Sequence, residues 1–142
     1  MAPTPIDVGI STTTTTGILN YIFSPITAST TITSTSMTDI ISVAQGSSGV
    51  WFASGNLTIF SSGTPDSFVQ LWDGTTTIAS GATNVAGSNF YTSLSISGIL
   101  ASPAGNIRLS GFVNTAGASK WVAIRNITGL AADSALTVVR IG

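Results

Sequence analysis

Val50-Trp51-Phe52-Ala53-Ser54-Gly55-Asn56-Leu57-Thr58-Ile59-Phe60 repeats its apolar character every second residue. Trp51, Ala53, Leu57 and Ile59 fall on one face of such a segment, and Phe52, Ser54, Asn56 and Thr58 fall largely on the other. A period of two is the signature of a half-buried strand, because successive side chains of an extended chain point to opposite sides. The pattern recurs on both sides of this stretch. Residues 90–100 alternate through Leu94 and Ile96. In residues 106–113, Ile107, Leu109, Gly111 and Val113 oppose Arg108, Ser110 and Phe112.

Turn signals separate these segments. Gln45-Gly46-Ser47-Ser48-Gly49 ends a short strand at residues 40–43, and Ser61 to Asp66 reads as a loop. Asp73-Gly74 stands between residues 67–72 and 75–80, which predicts a two-residue hairpin in a type I′ turn. Residues 81–87 read as loop, Ser102-Pro103-Ala104-Gly105 as a turn, and residues 121–127 and 136–141 as the closing strands. Residues 27–39 are rich in Ser and Thr, with Thr31, Thr33 and Thr35 in alternation, and predict an extended edge strand. No apolar stripe of helical period runs for ten residues, so helix is confined to one turn at most, near residues 130–134. Eight or nine short strands with turns every 8–12 residues predict an all-β chain, a jelly-roll-like antiparallel β-sandwich over residues 18–142. Residues 1–17 hold two prolines and a five-threonine run. They lack a core face and read as an extended N-terminal arm.

Composition narrows the function. The chain has 142 residues, of which 6% are charged, and its formal net charge is −1. It contains 22 Thr and 21 Ser, five Asp, and no Glu, His or Cys. Thiolate chemistry, disulfides, a zinc centre and a histidine base are therefore excluded. No cofactor is expected. One Lys and three Arg cannot make the basic footprint of a nucleic-acid partner, and no apolar run approaches the roughly 18–20 residues of a membrane span. At 43% hydrophobic, with eleven aromatic residues, the chain can nonetheless bury a core. A fold of this mass exposes about 6,800 Å², which nine charges cannot cover. A surface of hydroxyls, backbone and apolar groups with net charge near zero tends to associate.

The candidate chemical constellations favour structure over catalysis. Asp66 and Asp73 bracket a strand of about 20 Å, too far apart for paired-carboxylate catalysis. The turn accounts for Asp73 and the loop opening for Asp66. Lys120 stands outside any Ser-x-x-Lys spacing, and no Asp-x-Asp spacing supports calcium. The three Trp fit core or interface packing better than a sugar platform. Arg108, Arg125 and Arg140 lie on three different strands, either solvated or paired with Asp39 or Asp133 across a subunit contact. The N-terminus lacks the cationic start and apolar block of a secretory signal, so synthesis in a cytoplasm is expected.

From residue 29 to residue 142 the chain resembles a C1q/TNF-type jelly roll of the kind found in phage virion proteins. The residues that carry the resemblance are the Gly-x-aromatic-aromatic strand from Gly49 to Phe60, the hairpin from Val69 to Thr77, and Ile78 to Gly81. Ser93 to Gly98, Pro103 to Ser110 and the terminal segment from Ser134 to Gly142 complete it. There is no collagen-like stalk. The resemblance implies a homotrimer with the last strand near the threefold axis, and a place among head decoration, head fibre and tail fibre proteins. The residues of that strand agree, since Leu136 and Val138 make one apolar face and Val139 and Ile141 the other. A strand apolar on both faces needs cover on both sides. Those four residues are the expected trimer interface.

The expected function is a non-enzymatic capsid decoration (cement) protein on a virion surface, made in the host cytoplasm, with the major capsid protein as partner. Its anchor would be the arm, where Ile6, Val8 and Ile10 alternate with Asp7, Gly9 and Ser11 and offer an apolar face to a groove or a sheet edge. The alternative is a head or tail fibre module that adsorbs to host surface glycans. A small glycan-active enzyme is the third reading, disfavoured by the absence of Glu and of paired acids.

Overall fold

The computed structural model describes residues 20–61, 66–84, 90–114, 121–123 and 133–142. Ten strands make up its regular structure: β1 (Tyr21–Pro25), β2 (Thr30–Ile32), β3 (Thr38–Val43), β4 (Val50–Ser61), β5 (Asp66–Trp72), β6 (Thr77–Asn84), β7 (Phe90–Ala101), β8 (Ile107–Val113), β9 (Trp121–Ala123) and β10 (Ala135–Arg140). They form two antiparallel sheets. One runs β1-β10-β4-β9-β2 with β7 paired to β4, and the other runs β3-β8-β5-β6. The fold is an all-β jelly-roll sandwich in which the first and last strands are neighbours.

The stretch that alternates most regularly becomes the spine. All twelve residues of β4 pair with β7 on one side. Its other side pairs with β10 over residues 51–56 and with β9 over residues 59–61. Trp51, Ala53, Leu57 and Ile59 point inward and are buried, as the alternation predicts. They meet Ile41, Val43, Val69, Leu71, Ile107, Leu109 and Val113 of the facing sheet in one cluster. Burying each such side chain contributes about 1.5–3 kcal/mol. The Trp51 indole also donates to the Ser48 carbonyl at 2.9 Å, which satisfies its one polar atom.

Several local expectations change. The Asp73-Gly74 turn is a four-residue loop, Asp73 to Thr76, closed by the Asp73 N–H donating to the Thr76 carbonyl. A type I′ turn needs positive φ at both central residues, and only Gly74 has it, at 93°. The Asp73 carboxylate decides the outcome by accepting from the backbone N–H of Thr75 and Thr76 at 2.9 and 2.6 Å. Residues 81–84 are strand rather than loop, because pairing with Asp66 to Val69 overrides their weak propensity. The expected edge strand over residues 27–39 breaks into β2 and the first two residues of β3. After β2 the Ser34 hydroxyl takes the Ser36 N–H at 2.9 Å, giving the backbone a local partner instead of a ladder. A bulge between Asp39 and Ile41 shifts the phase of β3. Asp39 thereby stays outside while Ile41 and Val43 enter the core.

β7 of one sheet lies close against β6 of the other at Gly98. A Cβ at Gly98 would lie 2.6 Å from Ile78 Cγ2 and 2.9 Å from the Ile78 carbonyl oxygen. Gly98→Val is expected to destabilise the fold by about 1–3 kcal/mol through overpacking, read as a lower urea midpoint at unchanged slope. An unchanged midpoint would show that this contact can open without cost.

Candidate functional site

The last strand has two different faces. Leu136 and Val138 are 0% exposed and belong to the core cluster of their own chain. They are therefore unavailable to a second copy, and half of the expected trimer interface is corrected. The physical reason is that the opposite sheet already covers them. Val139 and Ile141 lie on the other face, which no strand of the described chain covers. Ile141 is 52% exposed.

Strand pairing surrounds Val139 with apolar neighbours. Tyr21 of β1 stands opposite Val139, Val139 opposite Phe52 of β4, and Phe52 opposite Ile99 of β7. Strands about 4.8 Å apart make this a row of about 14 Å. Tyr21 is 62% exposed, Ile99 60% and Phe52 37%. Exposed apolar side chains scattered singly are ordinary, but these stand side by side across four strands. Ser54, Asn56 and Thr58 continue the same face of β4, and Phe60 with Tyr91 closes its far end at a ring separation of 5.1 Å. Tyr21, Phe52 and Ile99 were not among the expected interface residues. Their signal was legible in part, since Phe52 sits on the otherwise polar face of its strand. The cross-strand register that joins them was not.

The outer face of the second sheet divides into a closed half and an open half. In the closed half, Asp39 accepts from the Ser110 hydroxyl at 2.6 Å and from the Arg108 guanidinium at 3.0 Å. The Ser110 oxygen in turn accepts from the Trp72 indole at 2.8 Å, and Arg108 lies 5.9 Å over the Trp72 ring. Arg108 and Asp39 thus pair within one chain, on adjacent strands, and not across a subunit contact. The Arg140 guanidinium donates to the Gly142 carbonyl at 3.1 Å. Trp51 is core, as expected, whereas Trp72 lies on this outer face.

In the open half, Phe68 and Phe112 stack at 4.8 Å with 12° between their planes. Opposite Phe68, Val69 and Gln70 stand Ala82, Gly81 and Ser80 of the edge strand β6. Ala82 and Ser80 share the outer face with Phe68 and Gln70, and their small side chains leave a groove of about 390 Å³ beside the phenyl pair. At its end the Asp66 carboxylate accepts from the Asn84 and Asn114 amides, both at 2.7 Å.

Asp73 and Asp66 stand at opposite ends of β5, far from each other. Besides its own turn, Asp73 accepts from the Ala104 N–H at 2.7 Å and so ties the β5–β6 loop to the loop before β8. Burial alone would raise its pKa, but the three backbone donors outweigh that and hold it below the ordinary aspartate value of 3.8. Among the described residues no group of three or more acidic side chains comes together to hold a metal ion. No helix there is long and apolar enough to cross a membrane. Ile6, Val8 and Ile10 of the arm, and Arg125, lie outside the described residues.

No family model matches the chain, and no curated protein matches it in sequence. Solved structures do match in fold. The Eiger TNF of S. frugiperda superposes with a TM-score of 0.59 at 12% identity, over 88% of this chain and 92% of that one. A Bacillus endospore appendage pilus protein gives 0.47 at 13% identity, over 87% and 86%. The VP2 protein of infectious bursal disease virus gives 0.45 at 12% identity, over 87% of this chain and 32% of that one. At such identities the likeness speaks for the fold alone, and of these three only the first exceeds 0.5.

Proposed function

We propose that the chain is a non-enzymatic structural subunit, a homotrimeric decoration protein of a phage head. The observation that carries this reading is the row Tyr21, Val139, Phe52 and Ile99 on the sheet that contains the last strand. Threefold packing of that face would cover the row together with Ile141. Association of this kind suits a chain that has only nine charged side chains to keep it dispersed. The absence of His, Cys and Glu from the sequence leaves few routes to acid–base or nucleophilic catalysis. The arm is the proposed anchor on the capsid. Ile6, Val8 and Ile10 would add to an exposed sheet edge of the major capsid protein, and three arms per trimer would raise the effective concentration of the second and third contacts.

The test has two parts. Light scattering of the purified chain at micromolar concentration should give three times the monomer mass, and a clean monomer would refute self-association. Deleting residues 1–16 should leave a folded trimer that no longer attaches to undecorated heads. Attachment with unchanged affinity would remove the arm from the anchor and assign the contact to the sandwich itself.

A further inference from the structure

The groove between β5 and β6 lies on the sheet opposite the apolar row, and its chemistry is different. We infer that it binds a neutral hexopyranose unit of a glycan, with the Phe68–Phe112 pair as the apolar plate and Gln70 and Ser80 as the polar rim. The inference does not rest on the trimeric decoration reading.

Cross-strand neighbours normally fill the space beside an aromatic ring. Here the residues paired with Phe68 and Gln70 on this face are Ala82 and Ser80, both small, so the space stays open beside the ring. A second hollow of about 320 Å³ shares Phe68 and Ala82 and extends the trough past Thr83 to Asp66 and Asn84. Phe112 stacks on Phe68 nearly in parallel, which makes the two rings one stiff plate. The Gln70 amide nitrogen donates to the Thr77 hydroxyl at 2.6 Å, and this bond orients the side chain. The Gln70 carbonyl oxygen and the Ser80 hydroxyl make no hydrogen bond within the described residues. Both remain available to a ligand.

Charge then selects the ligand class. Asp66 is the one ionised side chain among the described residues that line the trough, and two amide donors already share its charge. Among the described lining residues an anionic ligand would find no cation. A cationic ligand would find a carboxylate whose two oxygens are both engaged. A wholly apolar ligand would cover the Gln70 and Ser80 polar groups without replacing their water, which is unfavourable. A neutral pyranose has an apolar C–H face for the phenyl plate and a rim of hydroxyls that each donate and accept. That combination, an apolar wall with a few placed polar groups, is how small polar ligands are held.

The experiment uses the full-length chain on an array of neutral hexopyranose oligosaccharides (glucans, mannans and galactans) beside sialylated and sulfated ones. Isothermal titration with the best-retained oligosaccharide follows. Neutral glycans should be retained. Ala82→Gln, which fills the groove from an exposed edge position, should lower affinity by about tenfold or more, and Gln70→Ala should lower it likewise. Both variants should melt at the wild-type temperature and scatter light as the wild type does, which separates this result from any failure of the trimer. Retention of no neutral glycan, or an affinity that Ala82→Gln leaves unchanged, would overturn the assignment. Retention confined to acidic glycans would also overturn it. So would attachment to undecorated heads that Ala82→Gln abolishes while no glycan binds, because the groove would then be a protein contact.

Discussion

A carboxylate placed at residue 136 of the last strand is expected to unfold the chain, and the same carboxylate three residues further on is expected only to disperse it. Leu136 is fully buried among Ala53, Leu57 and the side chains of the facing sheet. Leu136→Asp removes packing worth about 2–5 kcal/mol and adds an unpaired buried carboxylate that costs several kcal/mol more. Together these approach or exceed the roughly 5–15 kcal/mol that holds a domain folded. Val139 points the other way, into the row formed with Tyr21 and Phe52. In an isolated chain Val139 is only half-buried, so Val139→Asp costs less than the same change at residue 136. In the proposed trimer it is covered in all three copies. A penalty of even about 4 kcal/mol weakens association by about a thousandfold.

Circular dichroism should therefore show a lost transition for Leu136→Asp and an intact one for Val139→Asp. Light scattering should report monomer for the latter at concentrations where the natural chain is trimeric. A Val139→Asp protein that remains trimeric would place the subunit contact on another face.

The second large effect is expected at Asp73. Its carboxylate receives the backbone N–H groups of Thr75, Thr76 and Ala104. Hydrogen bonds to a charged group contribute about 1.5–3 kcal/mol each. Thr75, Thr76 and Ala104 are exposed enough for water to replace part of that, so Asp73→Ala should cost about 3 kcal/mol in total. The pH dependence has a definite sign. The folded-state pKa lies below the ordinary value of 3.8, so the folded chain binds this proton less readily than the unfolded chain does. The stabilisation is complete above about pH 4 and disappears as the pH falls through the lower folded value. The natural chain should lose urea midpoint steadily below pH 4, and Asp73→Ala should lose less over the same range. Parallel pH profiles for the two proteins would show that the clamp contributes nothing through its charge.

Much of the architecture was legible because a strand in a two-layer sandwich must alternate. Residues 50–60, 90–100 and 107–113 declare their inward faces in sequence, and each of these faces meets the core as expected. The acid of the β5–β6 loop was legible as a turn residue, yet the type of turn was not, since Asp73 also takes the N–H of Ala104, 31 residues away. The terminal strand shows the same limit. Its apolar residues on both faces signal a need for cover, which the chain itself meets at Leu136 and Val138 and the proposed trimer would meet at Val139 and Ile141. Which face the chain covers by itself depends on where the β3-β8-β5-β6 sheet lies, and periodicity carries no such information.

From its own residues the chain determines its class: an all-β sandwich with a nearly uncharged coat, no histidine, cysteine or glutamate for catalysis, and strands at stated positions. These follow from local rules of period, turn chemistry and side-chain inventory. The row Tyr21, Val139, Phe52 and Ile99, and the groove beside Phe68 and Phe112, were decided by tertiary structure alone. Tyr21 and Val139 are 118 residues apart and become neighbours only through the pairing of the first strand with the last. Phe68 and Phe112 meet only because β5 and β8 are adjacent. Register is set by the sum of all cross-strand contacts and by bulges such as the one at Asp39, so a surface assembled across several strands exists only once the sheets have formed.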